Sequence, residues 1–172
     1  MCGNSGAGKS TVCEMLRRQG HAAVDTDWEG YSHWADRISG QVVTDPPYPA
    51  PPGWLHRYGW RMSRAKVEAL ASRAAATTVF LCGSAENMDE VQDLFDLTIR
   101  LVIDERTLID RLANRTTNTF GAHPEELAAA VEANRSADAA DGGPDAVVID
   151  GTQPVAAVVE AVLAAAGANA GR

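Results

Sequence analysis

The sequence is poor in cysteine, in basic side chains and in long apolar runs, and each shortage excludes a class of protein. Its three cysteines have no C-x-x-C or metal-ligand spacing, which favours reduced thiols in a cytoplasmic protein over disulfides or a zinc site. Its 15 Lys and Arg residues against 23 Asp and Glu give a net charge of −8, which argues against nucleic acid or an anionic membrane as the partner. No apolar run approaches the roughly 18 residues that span a bilayer. We expect one domain over 1–172, a monomer or weak homodimer with a small-molecule partner.

What the chain does carry is a phosphate-binding loop close to its start. Residues 3–10 read GNSGAGKS and fit G-x-x-x-x-G-K-[ST] with no mismatch. The glycines allow a tight turn near a phosphate, and the N–H groups of the loop and of the next helix surround its oxygens. The pattern predicts that Lys9 contacts the β- and γ-phosphates of ATP and that Ser10 holds Mg²⁺. The residues expected at the nucleotide are Gly3, Asn4, Ser5, Gly6, Ala7, Gly8, Lys9, Ser10 and Thr11.

Helical and strand-like segments alternate along the chain, which predicts an α/β fold with a parallel sheet. Strands are expected over 22–25, 77–82, 97–103 and 146–149. Helices are expected from the loop to Gly20 and over 28–39, 63–76, 86–95, 105–115, 124–139 and 154–166, with a turn at 141–145 and a frayed tail from 167 to 172. The proline-rich stretch 45–54 can be neither a regular helix nor a central strand.

A phosphate-binding loop ordinarily follows a buried central strand, and Met1 and Cys2 can supply only the last residues of one. A shortened central strand leaves unpaired backbone groups in the middle of a sheet. We therefore expect the natural chain to begin several residues earlier. Adding those residues should raise the melting temperature and tighten ATP binding.

Two carboxylates follow the second strand, on the sheet edge that carries the phosphate loop. Asp25 and Asp27 are two positions apart, so they point the same way on an extended backbone. One can hold a Mg²⁺-bound water, which we assign to Asp25, while Asp27 accepts a proton from an attacking hydroxyl. The alternative is that Asp27 only caps a helix beginning at Trp28.

The phosphate loop, the short helix and strand after it, and the Asp-x-Asp pair resemble the small P-loop kinases. These include the nucleoside-monophosphate kinases, the shikimate- and gluconate-kinase-like proteins, and bacterial nucleoside-kinase-like ATP-binding proteins of the AAA family. The stretch 80–87, FLCGSAEN, is similar to the second group, because Gly83 stands where most P-loop enzymes have an aspartate. The resemblance implies a three-layer P-loop NTPase fold with about five parallel strands, the first truncated, helices on both faces and a small lid. It also implies ATP and Mg²⁺ as cofactors.

The resemblance places a lid over about 111–123, after the strand 97–103. Arg111 and Arg115 are four residues apart on one helical face, from which two guanidinium groups could clamp the transferring phosphate. Arg135 is similar in placement to an arginine that faces this lid from across the site. The alternative for each arginine is a solvated helix face, paired with neighbouring acids.

The resemblance also places the adenine and acceptor sites. Thr152 and Gln153 follow the last strand, where the family wraps the adenine, although a turn before a proline-started helix explains them equally well. The acceptor segment would cover about 28–62, where aromatic and basic side chains crowd behind the prolines. Those expected to contact the acceptor, together with Asp27, are Arg57, Trp60 and Arg61, and by its placement Arg135.

Two functions remain open from the sequence. The first is an ATP-dependent kinase of a nucleoside, nucleotide or other small hydroxyl acceptor, with catalytic roles for Lys9, Asp27, Arg111 and Arg115. The second is a nucleotide-binding regulatory protein with slow or no ATP hydrolysis. The Asn-Lys-x-Asp guanine motif is missing, so a GTPase switch is not expected.

Overall fold

The computed structural model describes residues 1–74, 77–116, 118–136, 143 and 145–170. The described residues form, in chain order, β1 (Cys2–Gly3), α1 (Lys9–Arg18), β2 (Ala22–Asp25), β3 (Ser32–Asp36), α2 (Trp54–Arg57), β4 (Tyr58–Met62), α3 (Arg64–Arg73), β5 (Val79–Cys82), β6 (Ile99–Val102), α4 (Glu105–Asn114), α5 (Pro124–Ser136), β7 (Val147–Asp150) and α6 (Val155–Ala170). Two short 3₁₀ helices, Met88–Glu90 and Gln92–Leu94, replace the single helix predicted over 86–95. None of the described helices is both long and apolar enough to cross a bilayer.

The parallel strands form two sheets that the backbone of Met1 joins. One sheet has the order β1–β6–β7 and the other pairs β2 with β5. The Met1 amino group donates to the Leu81 carbonyl at 2.7 Å, and the Gly83 N–H donates to the Met1 carbonyl at 3.0 Å. This is the bonding pattern of a parallel pair, so Met1 lies beside the end of β5. The predicted α/β fold with parallel strands is confirmed.

The helix predicted over 28–39 is wrong. Residues 28–31 form a turn, and β3 then pairs antiparallel with β4, with Trp34 opposite Trp60 and Asp36 opposite Tyr58. Cross-strand contacts between aromatic rings stabilise such a pair, and they depend on a segment more than 20 residues away in the sequence. Local helical spacing in 28–39 could not reveal that partner.

The main core lies between the parallel strands and the helices α1 and α6. Leu16 of α1 and Val159 and Val162 of α6 are fully buried, and each contributes about 1.5–3 kcal/mol relative to exposure. Phe80 packs in this core, whereas its neighbour Leu81 packs against a second cluster around Met62, Val67 and Val91. Successive side chains of a strand point to opposite faces, so both faces of β5 are covered.

The last helix is longer than the sequence predicted. α6 continues to Ala170, and Asn169 donates to the Asp96 carbonyl at 3.3 Å, so the frayed tail is wrong for 167–170. Parts of the helices predicted over 63–76 and 124–139, of the turn, of the tail and of the lid lie outside the described residues, at 75–76, 137–139, 141–142, 144, 171–172 and 117. The three cysteines are free and buried.

The segment that the sequence predicted as a lid lies between two packed helices. Leu108 and Leu112 of α4 pack against Ala130 of α5. α4 begins at the N-cap Asp104, whose carboxylate accepts from the Thr107 N–H at 2.8 Å.

A cleft lies at the N-terminal ends of β5 and β6, next to Met1. It measures about 800 Å³, and its lining includes Phe80 of β5, Ile99 of β6 and Leu97, which precedes β6. β1 contributes only two paired positions to this part of the sheet.

Candidate active site

The phosphate-binding loop connects β1 to α1 in a tight turn. The Ala7 N–H donates to the Asn4 carbonyl at 3.1 Å, and Gly6 and Gly8 have φ values of 81° and 99°. Residues that carry a side chain rarely adopt these left-handed backbone conformations, so both positions favour glycine. α1 begins at Lys9, and the first N–H groups of a helix have no intrahelical acceptor. They supply donors and a partial positive charge beside the loop.

Lys9 is held inside the loop by backbone oxygens. Its Nζ donates to the carbonyls of Gly3 at 2.7 Å and Asn4 at 2.9 Å. Burial lowers the pKa of Lys9 below its ordinary value, while the charges of Asp27 and Asp25 act in the opposite direction. The Lys9 ammonium group thus donates to carbonyls. Asp27 and Asp25 lie close enough to raise its pKa through their negative charge.

Two side chains that the sequence did not indicate hold the loop in place. The Gly3 N–H donates to Ser84 Oγ at 2.9 Å, and the same hydroxyl donates to the Gly3 carbonyl at 2.8 Å. Asn4 Nδ2 donates to the Ala130 carbonyl at 2.8 Å and to Asn134 Oδ1 at 3.3 Å. Ser84 could have been found from its place just after a strand that ends at the ligand edge. No sequence pattern marks Asn134.

The two aspartates after β2 have different surroundings. Asp25 is buried, and its Oδ1 accepts from the N–H groups of Asp27 at 3.0 Å and Trp28 at 3.3 Å. Asp27 is exposed, and its Oδ1 accepts from Thr26 Oγ1 and from Trp60 Nε1, each at 3.1 Å. Reading Asp27 as a helix cap is wrong, because no helix begins at Trp28 and Asp25 accepts from the turn instead.

The turn that carries Asp27, residues 26–30, packs directly on the end of β5, and we call it the aspartate turn. Gly83 has no side chain, and a Cβ added there would lie 1.7 Å from Thr26 Oγ1. Thr26 is fully buried, and its N–H donates to the Cys82 carbonyl at 3.0 Å. Gly83 is therefore the residue that lets the aspartate turn approach the sheet.

Two arginines reach the phosphate loop from the end of α4. Arg111 Nη1 donates to the Gly6 carbonyl at 3.1 Å and its Nη2 to the Gly151 carbonyl at 2.8 Å. Arg115 Nη1 donates to Ser5 Oγ at 3.2 Å, while its buried Nε has no partner among the residues that the structure describes. Burial lowers the pKa of Arg115. Two guanidinium groups thus stand at the loop.

A cleft of about 510 Å³ brings most of the expected residues together. Its lining from the loop, the aspartate turn, α4 and the start of α6 includes Gly6, Gly8, Lys9, Ser10, Thr11, Asp27, Trp28, Arg111, Arg115 and Gln153. Gln153 Nε2 donates to Asp150 Oδ2 at 2.7 Å, and the Thr152 hydroxyl donates to Asp150 Oδ1 at 2.6 Å. Thr152 is turned onto Asp150, whereas Gln153 also borders the cleft.

Three arginines expected at the acceptor lie in ion pairs. Arg135 pairs with Glu105 at 2.9 Å on the outer side of α4 and α5. Arg57 pairs with Asp36 at 2.8 Å, and Arg61 pairs with Glu90. The structure does not bring these side chains to the phosphate loop. Trp60 is the member of the acceptor set that reaches Asp27.

No protein-family model and no curated protein sequence matches the chain. Solved structures do match. A sugar kinase from Janibacter sp. HTCC2649 superposes with a TM-score of 0.57 and 19% identity over 96% of this chain and 91% of that one. A gluconokinase from Sinorhizobium meliloti 1021 gives a TM-score of 0.50 and 20% identity over 95% and 87%. The chain has the fold of the small P-loop kinases.

The residues of this site suit a polyphosphate with Mg²⁺. Backbone donors, Lys9 and two arginines surround one loop, which is the arrangement that polyphosphate requires. Ser10 is exposed in the first turn of α1, where its hydroxyl can bind a metal that also binds phosphate oxygens. The described residues contain no cluster of three or more His, Cys, Asp or Glu that could hold a metal alone.

Proposed function

We propose that the protein is an ATP-dependent kinase that phosphorylates a hydroxyl group of a small acceptor. The observation that carries this proposal is the convergence of Lys9, Arg111, Arg115 and Asp27 on one cleft of about 510 Å³. Sharing a fold with a sugar kinase and a gluconokinase supports it. The two parallel sheets that Met1 joins would form the five-stranded, three-layer domain of such kinases.

Each residue has a role that its position permits. The N–H groups of the loop and of the first turn of α1 bind the ATP phosphates, and Lys9 leaves its loop carbonyls to contact them. Arg111 and Arg115 stabilise the charge that develops on the transferring group. Ser10 and Asp25 would hold Mg²⁺, directly or through water, and the metal would neutralise phosphate charge. Gln153 and Thr152 would border the adenine.

Asp27 is proposed to take the proton from the acceptor. As the acceptor oxygen bonds to the γ-phosphorus, the bond from that phosphorus to the bridging oxygen breaks and ADP leaves. The hydroxyl proton moves to the Asp27 carboxylate. Trp60 Nε1 and Thr26 Oγ1 fix one oxygen of that carboxylate. A positioned general base of this kind contributes about 10²–10⁴ to the rate.

The proposal is tested by coupled ADP release with a panel of sugars, nucleosides, nucleotides and hydroxy acids. At least one acceptor should raise ADP release well above the rate with ATP and Mg²⁺ alone. The phosphorylated acceptor should appear in equal amount by mass spectrometry. If ATP binds but no acceptor raises the rate, the kinase proposal fails. That result would favour a nucleotide-binding regulatory protein.

A further inference from the structure

We infer that the acceptor is an uncharged compound with an apolar ring face, a sugar or a nucleoside, rather than a carboxylic acid or a phosphate ester. This inference rests on the kinase activity proposed above and specifies the substrate class of the same site. Two observations carry it. A set of contacting aromatic rings begins at Trp60, which donates to Asp27. The arginines of the same segment are already neutralised by carboxylates.

The aromatic rings form one continuous surface, which we call the aromatic wall: Trp34, Trp54, Tyr58 and Trp60. The Trp34 ring lies 5.3 Å from that of Trp60 and 4.7 Å from that of Trp54, and Trp54 stacks on Tyr58 at 4.7 Å. All four side chains are only half-buried, so the wall still has ring surface in contact with solvent.

The wall ends at the proposed base. Trp60 Nε1 donates to Asp27 Oδ1, so its ring is fixed beside the group that would take the acceptor proton. Indole rings bind the C–H face of a sugar or the face of a nucleobase. An acceptor lying along the wall would bring a hydroxyl group to Asp27.

The arginine beside the wall is neutralised. Arg57 lies over the Tyr58 ring at 5.3 Å, and its Nε donates to Asp36 Oδ2 at 2.8 Å. The Asp36 carboxylate also accepts from the N–H groups of Ile38 and Ser39, each at 2.9 Å. These bonds, with that from Ser39 the largest contributor and that from Arg57 next, hold the pKa of Asp36 well below its ordinary value. Asp36 therefore stays ionised and compensates Arg57 throughout the physiological pH range.

The other two arginines of this segment belong to the opposite face of the β3–β4 pair. Arg61 follows Trp60 in the strand, so its side chain points away from the wall and pairs with Glu90. Arg37 pairs with Glu86, which covers Gly59 on that same face. A carboxylate or phosphate lying along the wall would thus meet the charges of Asp27 and Asp36, while Arg37, Arg57 and Arg61 are already paired with carboxylates.

Matched acceptors test the inference. Each pair keeps the ring and the primary hydroxyl and differs in charge: glucose against glucose 1-phosphate, and a nucleoside against its 3′-monophosphate. We expect kcat/KM for the neutral member of one pair to exceed that of its anionic partner at least tenfold. The pair that responds distinguishes a sugar from a nucleoside. Equal or higher kcat/KM for the anionic members, or gluconate as the best acceptor, would overturn the inference and leave the kinase proposal standing.

Binding separates the two proposals if no acceptor is phosphorylated. Calorimetric titration of the ATP-analogue complex should then still show tighter binding of the neutral members. If the neutral members bind no better than the anionic ones, the inference is overturned independently of turnover.

Two charge variants and a ring variant make the test specific to the wall. Asp36→Asn uncovers the charge of Arg57 and keeps an oxygen for the Ile38 and Ser39 N–H groups, so the neutral preference should shrink at least fivefold. Glu90→Gln uncovers Arg61 on the opposite face and should leave the preference unchanged. Equal effects of the two variants, or none from either, contradict the inference.

Trp34→Ala should raise KM for the neutral acceptor at least fivefold with kcat within twofold, and Trp34→Phe should restore it. Circular dichroism melting identifies any loss of folding. An unchanged KM in folded Trp34→Ala contradicts a binding role for the wall.

Discussion

Replacing Gly83 by alanine should disturb both stability and catalysis through one contact. A Cβ at Gly83 would lie 1.7 Å from Thr26 Oγ1 and 2.7 Å from Thr26 Cβ. Rotating the Thr26 side chain would move its Oγ1 but not its Cβ, so the backbone itself has to shift. That backbone is fixed, because the Thr26 N–H donates to Cys82 and its carbonyl accepts from Tyr31 and Ser32.

The magnitude follows from the size of the overlap. Apolar atoms in contact lie about 3.5–4 Å apart, so the turn has to move by several tenths of an ångström at least. Overpacking of this kind costs about 1–3 kcal/mol in the free energy of unfolding. At roughly 2–4 °C per kcal/mol for a domain of this size, the melting temperature should fall by about 2–12 °C. Asp27 follows Thr26, and a displacement of about 1 Å can cost on the order of 10² in rate.

Thermal denaturation and acceptor-dependent ADP release measure the two effects. Gly167→Ala is the matched control, because Gly167 lies inside α6 and an added Cβ there meets nothing within 4 Å. It should raise stability by up to about 1 kcal/mol. Combining Thr26→Ala with Gly83→Ala should recover part of the lost melting temperature. A Gly83→Ala protein with unchanged melting temperature and turnover would refute the close approach of the turn to β5.

Three further variants and conditions have defined outcomes. Arg111→Ala removes charge-assisted bonds to the loop and to Gly151, each worth about 1.5–3 kcal/mol, so calorimetry should show at least tenfold weaker ATP binding; unchanged affinity contradicts the role. Trp60→Phe keeps a ring but loses the donor to Asp27, so kcat should fall at least fivefold while KM for the acceptor stays within twofold. Because burial lowers the pKa of Lys9, its ammonium should lose its proton below the ordinary lysine value of about 10.4. ATP affinity should therefore decline as pH rises toward that value, and this decline should be absent in Lys9→Met.

The phosphate loop was predictable because its chemistry is local. The positive φ values of Gly6 and Gly8, the position of Lys9 and the helix start at Lys9 all follow from eight consecutive residues. The buried spacing of Val12 and Leu16 in α1 depends on one helical period. The parallel strands were predictable for the same reason, since each is a short apolar run between helices.

The acceptor side was not predictable in this way, because it depends on pairing between distant segments. β3 became a strand through its register with β4, which brings Trp34 opposite Trp60. The neutralisation of Arg57 by Asp36 results from the same pairing. In the sequence, Arg57 beside aromatic residues suggests a binding site for an anion. The structure shows that Asp36 compensates its charge.

The aspartate turn lies between these cases. The sequence put Asp25 and Asp27 at the ligand edge, but their different tasks depend on Gly83 and Trp60 in other elements. In the structure Asp25 accepts from the turn N–H groups, while Asp27 faces the cleft. Sequence spacing could identify the pair of aspartates but could not assign a role to each of them.

The comparison of Asp27→Asn with the unaltered protein tests whether this cleft transfers phosphate. ATP affinity by calorimetry and formation of phosphorylated acceptor by mass spectrometry are measured on the same preparations, with the best acceptor found. ATP binding should stay within about twofold, because the Asp27 carboxylate accepts from Thr26 and Trp60 rather than from the loop, while kcat should fall by about 10²–10⁴. Unchanged transfer by Asp27→Asn would contradict the proposed chemistry of the site.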